Sequence, residues 1–153
     1  MTSIVCKSPI NIALVKYWGK IDSENIIPAN DSFSITISKN SLCSRTEIKL
    51  VPDSSEITLI LNNKPAIVTS RILNVVRMIR GRAPTAMKNY GVDIISVNNF
   101  NTAAGMASSS SGLSCLAFAL FKAYGIEASR EEISMYARLG SGSACRSLEG
   151  GFV

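Results

Sequence analysis

Residues 98–112, NNFNTAAGMASSSSG, constrain the fold more than any other stretch of this chain. Ahead of them, VDIISV at 92–97 is a short β-branched run that reads as a strand. Behind them, Leu113, Leu116, Ala117, Leu120 and Phe121 recur at helical spacing and predict a helix over 110–124. The join consists of Thr102, Ala103, Ala104, Gly105, Met106, Ala107 and four serines, Ser108 to Ser111. Such a loop lets backbone N–H groups come close to an anion, and the first helical turn adds unpaired donors and the positive end of its dipole. Serine hydroxyls add hydrogen bonds or ligate a magnesium ion that bridges phosphates. Two readings stand side by side: a phosphate-cradling loop, or a tight turn in which a serine caps the helix. No Gly-Lys-Ser/Thr closes the loop and no G-x-G-x-x-G runs through it, so a nucleotide bound here sits in neither of those motifs.

Composition narrows the partner. The chain has 153 residues, enough for one domain burying roughly two-thirds of its unfolded surface. Hydrophobic residues are 46% and charged ones 18%, the balance of an ordered domain. The net charge of +5 is spread along the chain, apart from Arg77, Arg80 and Arg82, with few aromatics between the cations. That excludes a nucleic-acid stripe and suits a small polyanionic ligand. With no histidine, zinc sites and Ser-His or Cys-His catalysis are excluded, and the widely spaced Cys6, Cys43, Cys115 and Cys145 form no C-x-x-C. Reduced thiols, the lack of a signal-peptide core and the lack of a membrane-length apolar run lead to the expectation of a soluble, cytoplasmic protein with no membrane partner.

From residue 3 to 15 the sequence reads as extended, broken at Pro9. KYWGK follows, in which Gly19 would permit a sharp turn sending Lys16 and Lys20 towards one site; the alternative is a solvated loop anchored by Trp18. Phe33, Ile35 and Ile37 alternate with Ser32, Ser34, Thr36 and Ser38. This is a half-buried strand whose polar face is either solvent-facing or one wall of a ligand site. Residues 42–51 and 56–61 are further strand candidates, and Asn62-Asn63-Lys64 a turn. An amphipathic helix is expected over 69–80, with Arg71 near its start. Ser129 with Glu132 is a capping box opening a helix over 128–139. A second glycine-serine loop, GSGSACRSLEGG at 140–151, carries Arg146, the residue type suited to bidentate recognition of carboxylate or phosphate; Gly140 alternatively ends the helix. The order of elements predicts an α+β fold in one domain over 1–153. Residues 150–153, GGFV, read as a turn into a new strand, so the chain is expected to lack what that strand packs against.

Three segments together, PINIALVKYWGK at 9–20, NNFNTAAGMASSSSG and RLGSGSACRSLEGGFV at 138–153, resemble the diphosphomevalonate decarboxylases of the GHMP kinase superfamily. The resemblance covers the whole chain but only the N-terminal half or so of such an enzyme. It implies a domain like the second domain of ribosomal protein S5, with a C-terminal ferredoxin-like domain missing, and a homodimer in the full-length enzyme. It implies ATP and Mg2+ as cofactors and mevalonate 5-diphosphate as substrate, decarboxylated to isopentenyl diphosphate with release of ADP, phosphate and CO2. By the same resemblance Lys16 lies close to the phosphorylated hydroxyl, and Arg146 clamps the departing carboxylate. Tyr17, Trp18, Gly19, Lys20, Arg71, Ser141, Gly142, Ser143, Ala144 and Cys145 line the substrate end. Gly105, Ala107, Ser108 and Ser109 surround the ATP phosphates, with Mg2+ at Ser108, while Asn11, Ser32 and Ser34 line the cleft. Asn101 and Asp31 stand where the family usually has proline and a small serine. The family's catalytic aspartate has no counterpart here, so the second expectation is a non-catalytic paralogue or fragment acting as a ligand-binding or interaction module.

Overall fold

The computed structural model describes residues 3–101 and 108–153. In chain order the strands are β1 (Ser3–Pro9), β2 (Asn11–Val15), β3 (Lys20–Asp22), β4 (Ile27–Pro28), β5 (Phe33–Thr36), β6 (Cys43–Val51), β7 (Ile57–Leu61), β8 (Lys64–Pro65), β9 (Gly91–Asn98) and β10 (Gly151–Phe152). The helices are α1 (Ser70–Gly81), α2 (Ser108–Ala123) and α3 (Arg130–Gly140), with single 3-10 turns at Thr85–Met87 and Ala144–Leu148. A five-stranded sheet runs β1-β6-β9-β7-β8, antiparallel except for the β7–β9 pair, whose parallel crossover carries α1. A second sheet runs β10-β5-β2, and β3 pairs with β4 as a separate hairpin.

Sequence period explains the layering. Val75, Val76 and Ile79 put an apolar stripe on α1, and Ile133 and Ala137 put one on α3. Ser129 caps α3 as expected, accepting from the Glu132 N–H at 3.2 Å, and Thr69, read as the start of α1, instead caps it by accepting from the Ile72 N–H at 3.4 Å. Helix α2 is apolar or small on nearly all sides, which a helix tolerates only when covered all round. It lies between the large sheet and the other two helices, and Leu113, Leu116, Leu120 and Phe121 join Ile48, Val92 and Ile94 in the core. Each such side chain stabilises the fold by about 1.5–3 kcal/mol. Its serines are used as well. Ser111 Oγ lies 2.7 Å from Ser44 Oγ, and Ser114 Oγ accepts from Ser8 Oγ at 2.9 Å, so hydroxyls stitch the helix to the sheet at close approach. The helix starts at Ser108 rather than Ser110, placing all four serines inside its first turn.

Gly140 ends α3 as its last residue and has a packing role as well: a Cβ there would stand 2.9 Å from Val75 Cγ2 and 3.0 Å from Leu113 Cδ2, so its bare Cα is what lets three helices meet. The sharp turn expected at Gly19 is not seen: residues 16–19 form neither turn nor bend, and Gly19 lies against Ala29, whose Cβ would be 3.3 Å from an added Cβ.

The second sheet is inside out. Asn11, Ser34 and Thr36 point to the protein interior, and Ser34 is fully buried. Ile12, Leu14, Phe33 and Phe152 face solvent, Phe152 at 71% exposure, with the Phe33 and Phe152 rings stacked at 5.7 Å between centroids. The alternation in 33–38 gives a strand over Phe33–Thr36, whose polar residues Ser34 and Thr36 face the interior while Ser38 beyond it is exposed.

Candidate functional site

Arg146 is the centre of that interior polar face. The 3-10 turn 144–148 feeds its side chain under β2 and β5, leaving it 8% exposed. Its Nε donates to Asn11 Oδ1 at 3.1 Å and its Nη1 to Ser32 Oγ at 2.9 Å. Both acceptors are neutral. Among the described residues the ion pairs are Lys49–Glu47 and Arg82–Glu132, so no carboxylate answers this guanidinium. A cation taken out of water without a counter-ion costs several kcal/mol, a cost that an anionic ligand offsets. Neither Nη2 nor the second Nη1 hydrogen makes a hydrogen bond to a described residue.

Asn11 in turn donates to Ser34 Oγ at 3.0 Å and Thr36 Oγ1 at 2.9 Å. Thr36 Oγ1 donates to the Arg146 carbonyl at 2.9 Å, and Ser34 Oγ to the Val153 carbonyl at 3.3 Å. The alternation of the strand places Thr36 on this polar face, but it is not among the cleft residues the resemblance implies. The available signal was its parity with Ser34 on β5.

The loop 141–143 lies beside KYWGK. A Cβ added to Gly142 would be 1.7 Å from Tyr17 Oη, so the phenol occupies the space that the glycine leaves. Ser141 and Ser143 hydroxyls are 3.5 Å apart and half-buried. Cys145 Sγ donates to the Gly142 carbonyl at 3.3 Å, and burial pushes its thiol pKa up against the lowering effect of Arg146 and Arg138. It orders the loop as a neutral thiol. Ala144 is fully buried and faces the core. Asn30 holds the other loop: its Oδ1 accepts from the Trp18 N–H and its Nδ2 donates to the Lys16 carbonyl, both at 3.4 Å. Lys16 and Lys20 are exposed, and Trp18 is 87% exposed, so it anchors nothing within this chain.

A second group gathers at the start of α2. Ser108 and Ser109 line a cavity of about 450 Å3 together with Arg71, Thr46, Ser96 and Asn98. Arg71, expected with the substrate residues, thus shares a cavity with the expected phosphate serines. Gly105 and Ala107 lie outside the described residues. Among the described residues no cluster of His, Cys, Asp or Glu could hold a metal ion, and none of the helices is long and apolar enough to cross a membrane.

The chain is an α+β domain in which a buried arginine is held by the neutral side chains of Asn11 and Ser32. Comparison with known proteins gives the family. Residues 8–153 match the diphosphomevalonate decarboxylase-like N-terminal domain, and the chain belongs to that family. The rat diphosphomevalonate decarboxylase is 42% identical over 98% of this chain and 40% of its own length. The Trypanosoma brucei mevalonate diphosphate decarboxylase superposes with a TM-score of 0.88 at 44% identity, covering 99% of this chain and 40% of that one. The Enterococcus faecalis enzyme gives 0.87 at 38% identity, covering 98% and 46%; its structure is described as showing mevalonate diphosphate-mediated ATP binding. The chain thus spans about 40% of the length of the curated relatives it matches.

Proposed function

We propose that this chain is the N-terminal, substrate- and ATP-binding domain of an enzyme that decarboxylates mevalonate 5-diphosphate to isopentenyl diphosphate. The observation that carries the reading is Arg146: a buried guanidinium held by the neutral Asn11 and Ser32, with one donor edge free. A substrate carboxylate completes that arrangement with charge-assisted hydrogen bonds. Lys20, Ser141, Gly142 and Ser143, beside Tyr17, offer cationic, hydroxyl and backbone donors for the diphosphate. Lys16 lies near the tertiary hydroxyl that ATP phosphorylates. Departure of phosphate breaks the C–O bond while the C–C bond to the carboxylate breaks, its electron pair becoming the new double bond and CO2 leaving. Arg146 orients the carboxylate for that departure.

The cavity at the start of α2 fits the nucleotide. Arg71 and the hydroxyls of Ser108 and Ser109 face the same space, and the helix N-terminus favours phosphate. Magnesium would be carried mainly by phosphate oxygens with the Ser108 hydroxyl, since no acidic cluster awaits it among the described residues. ATP supplies the phosphoryl group; this chain's residues bind, orient and neutralise. The cytoplasmic setting and the homodimer expected for the longer enzyme belong to the same reading.

Calorimetric titration of the folded 153-residue chain with mevalonate 5-diphosphate, with and without Mg-ATP, tests it. Saturable binding is expected, and binding without ADP release places the missing catalytic acid outside these residues. A folded chain that binds neither ligand overturns the reading and leaves the interaction-module alternative.

A further inference from the structure

Thr36 is gripped between both ends of Arg146. Its position across the β2–β5 ladder from Asn11 brings Oγ1 to the Asn11 amide, and the same oxygen reaches the Arg146 main-chain carbonyl. A hydroxyl has one proton, and a carbonyl only accepts, so that proton belongs to the Arg146 carbonyl. What remains towards Asn11 is a lone pair. Ser34 repeats the logic: its proton goes to the Val153 carbonyl and its lone pair faces the same amide. Two lone pairs therefore confront the Asn11 side chain from one side, and only its NH2 group satisfies both. The Oδ1 is left pointing at Arg146 Nε, a donor that needs an acceptor. Turning the amide over would set NH2 against N–H and leave both hydroxyl oxygens unanswered.

From this hydrogen-bond chain we propose that Thr36 is a positioning residue for Arg146, locking the amide that holds the guanidinium while tethering the backbone from which it springs. The inference rests on the reading of Arg146 as the carboxylate clamp, but the lock itself is a property of this chain alone. Thr36 Oγ1 is engaged by the Asn11 amide and the Arg146 carbonyl. Its hydroxyl sets which way Asn11 faces, and hence where the free Nη2 edge points.

The test is Thr36→Val, which keeps the β-branched shape and deletes the hydroxyl. The first readout needs no ligand: water exchange of the Arg146 Nε–H, followed by NMR in the 15N-labelled chain. It should quicken about tenfold or more in Thr36→Val, and stay at the parent rate in Thr36→Ser. The second is ligand discrimination. Affinity for mevalonate 5-diphosphate should fall about tenfold, while that for isopentenyl diphosphate, which lacks the carboxylate, changes less than about twofold. If Thr36→Val does not fold, Thr36→Cys, with similar volume and a weak donor, is measured the same way. Unchanged Nε–H exchange in a folded variant overturns the proposal, as does equal loss of both ligands. If the parent chain binds neither diphosphate, the functional reading fails while the exchange rates still decide the lock.

Discussion

Tyr17 and Gly142 compete for one volume: the phenol oxygen lies where a side chain on residue 142 would begin, 1.7 Å from an added Cβ. The residues are 125 positions apart, and their fit is what joins the KYWGK loop to the glycine-serine loop. Because the obstructing atom is the far end of a side chain, Gly142→Ala should displace Tyr17 rather than unfold the chain. Thermal scans should show a melting shift below about 5 °C, while affinity for mevalonate 5-diphosphate falls at least about tenfold. Combining it with Tyr17→Phe, which removes the oxygen, should give less than additive loss.

Arg146→Met should separate folding from binding. A buried charge with neutral partners contributes little to stability, and an apolar side chain of similar length removes its desolvation cost. The melting temperature should hold or rise, and calorimetry should show affinity for the carboxylated diphosphate falling about 100-fold or more. A variant that melts well below the parent yet binds as tightly at temperatures where it is folded would make Arg146 a structural strut.

Ser108→Ala addresses the other cavity. Its hydroxyl is one of six on residues lining that space with Arg71, the others being those of Thr46, Thr69, Ser70, Ser96 and Ser109. Loss of one hydrogen bond should weaken Mg-ATP binding about three- to tenfold. Affinity for mevalonate 5-diphosphate measured without nucleotide should not change. Identical ATP affinity would reduce this serine to a helix cap.

Cys115 predicts an alkaline limit. Burial raises its thiol from the ordinary 9.0 to about 11, with Sγ donating to the Cys6 carbonyl at 3.2 Å. Between those values the unfolded chain loses a proton that the folded chain keeps, so stability is full below about pH 9 and falls as pH climbs towards 11. Denaturant melts of parent and Cys115→Ala across this range should show a shallower alkaline decline in the variant, since the other alkaline groups are common to both.

The strand-loop-helix at the centre was legible because its two periods, β-branched run and helical spacing, meet across a loop of small residues. The cap of α3 was legible because Ser129 acts on its own neighbour Glu132. What sequence concealed was tertiary. The β3–β4 hairpin turns through Ile26 at φ 53°, a conformation that no local signal favours for a β-branched residue. The reason for Gly140 lies on two other helices, and that for Gly19 on Ala29. In the site, the resemblance picked out Arg146, Asn11, Ser32 and Ser34, which the structure gathers into one network. The bond from Thr36 to the Arg146 carbonyl and that from Asn30 to the Lys16 carbonyl escaped because each joins residues distant in sequence.

The inverted second sheet makes an unusual forecast about mutational tolerance. Substitution tables assume that a strand's greasy side is the costly one to alter and its hydroxyl side the cheap one. On β5 the ranking should run backwards in this chain. Trimming a hydroxyl from Ser34 or Thr36 strips a partner from the buried Asn11 amide, whereas a polar replacement at Phe33, 42% exposed, gives up mainly the stacked ring of Phe152. A scoring scheme that reads hydrophobicity as burial would therefore misjudge the very strand on which the arginine depends.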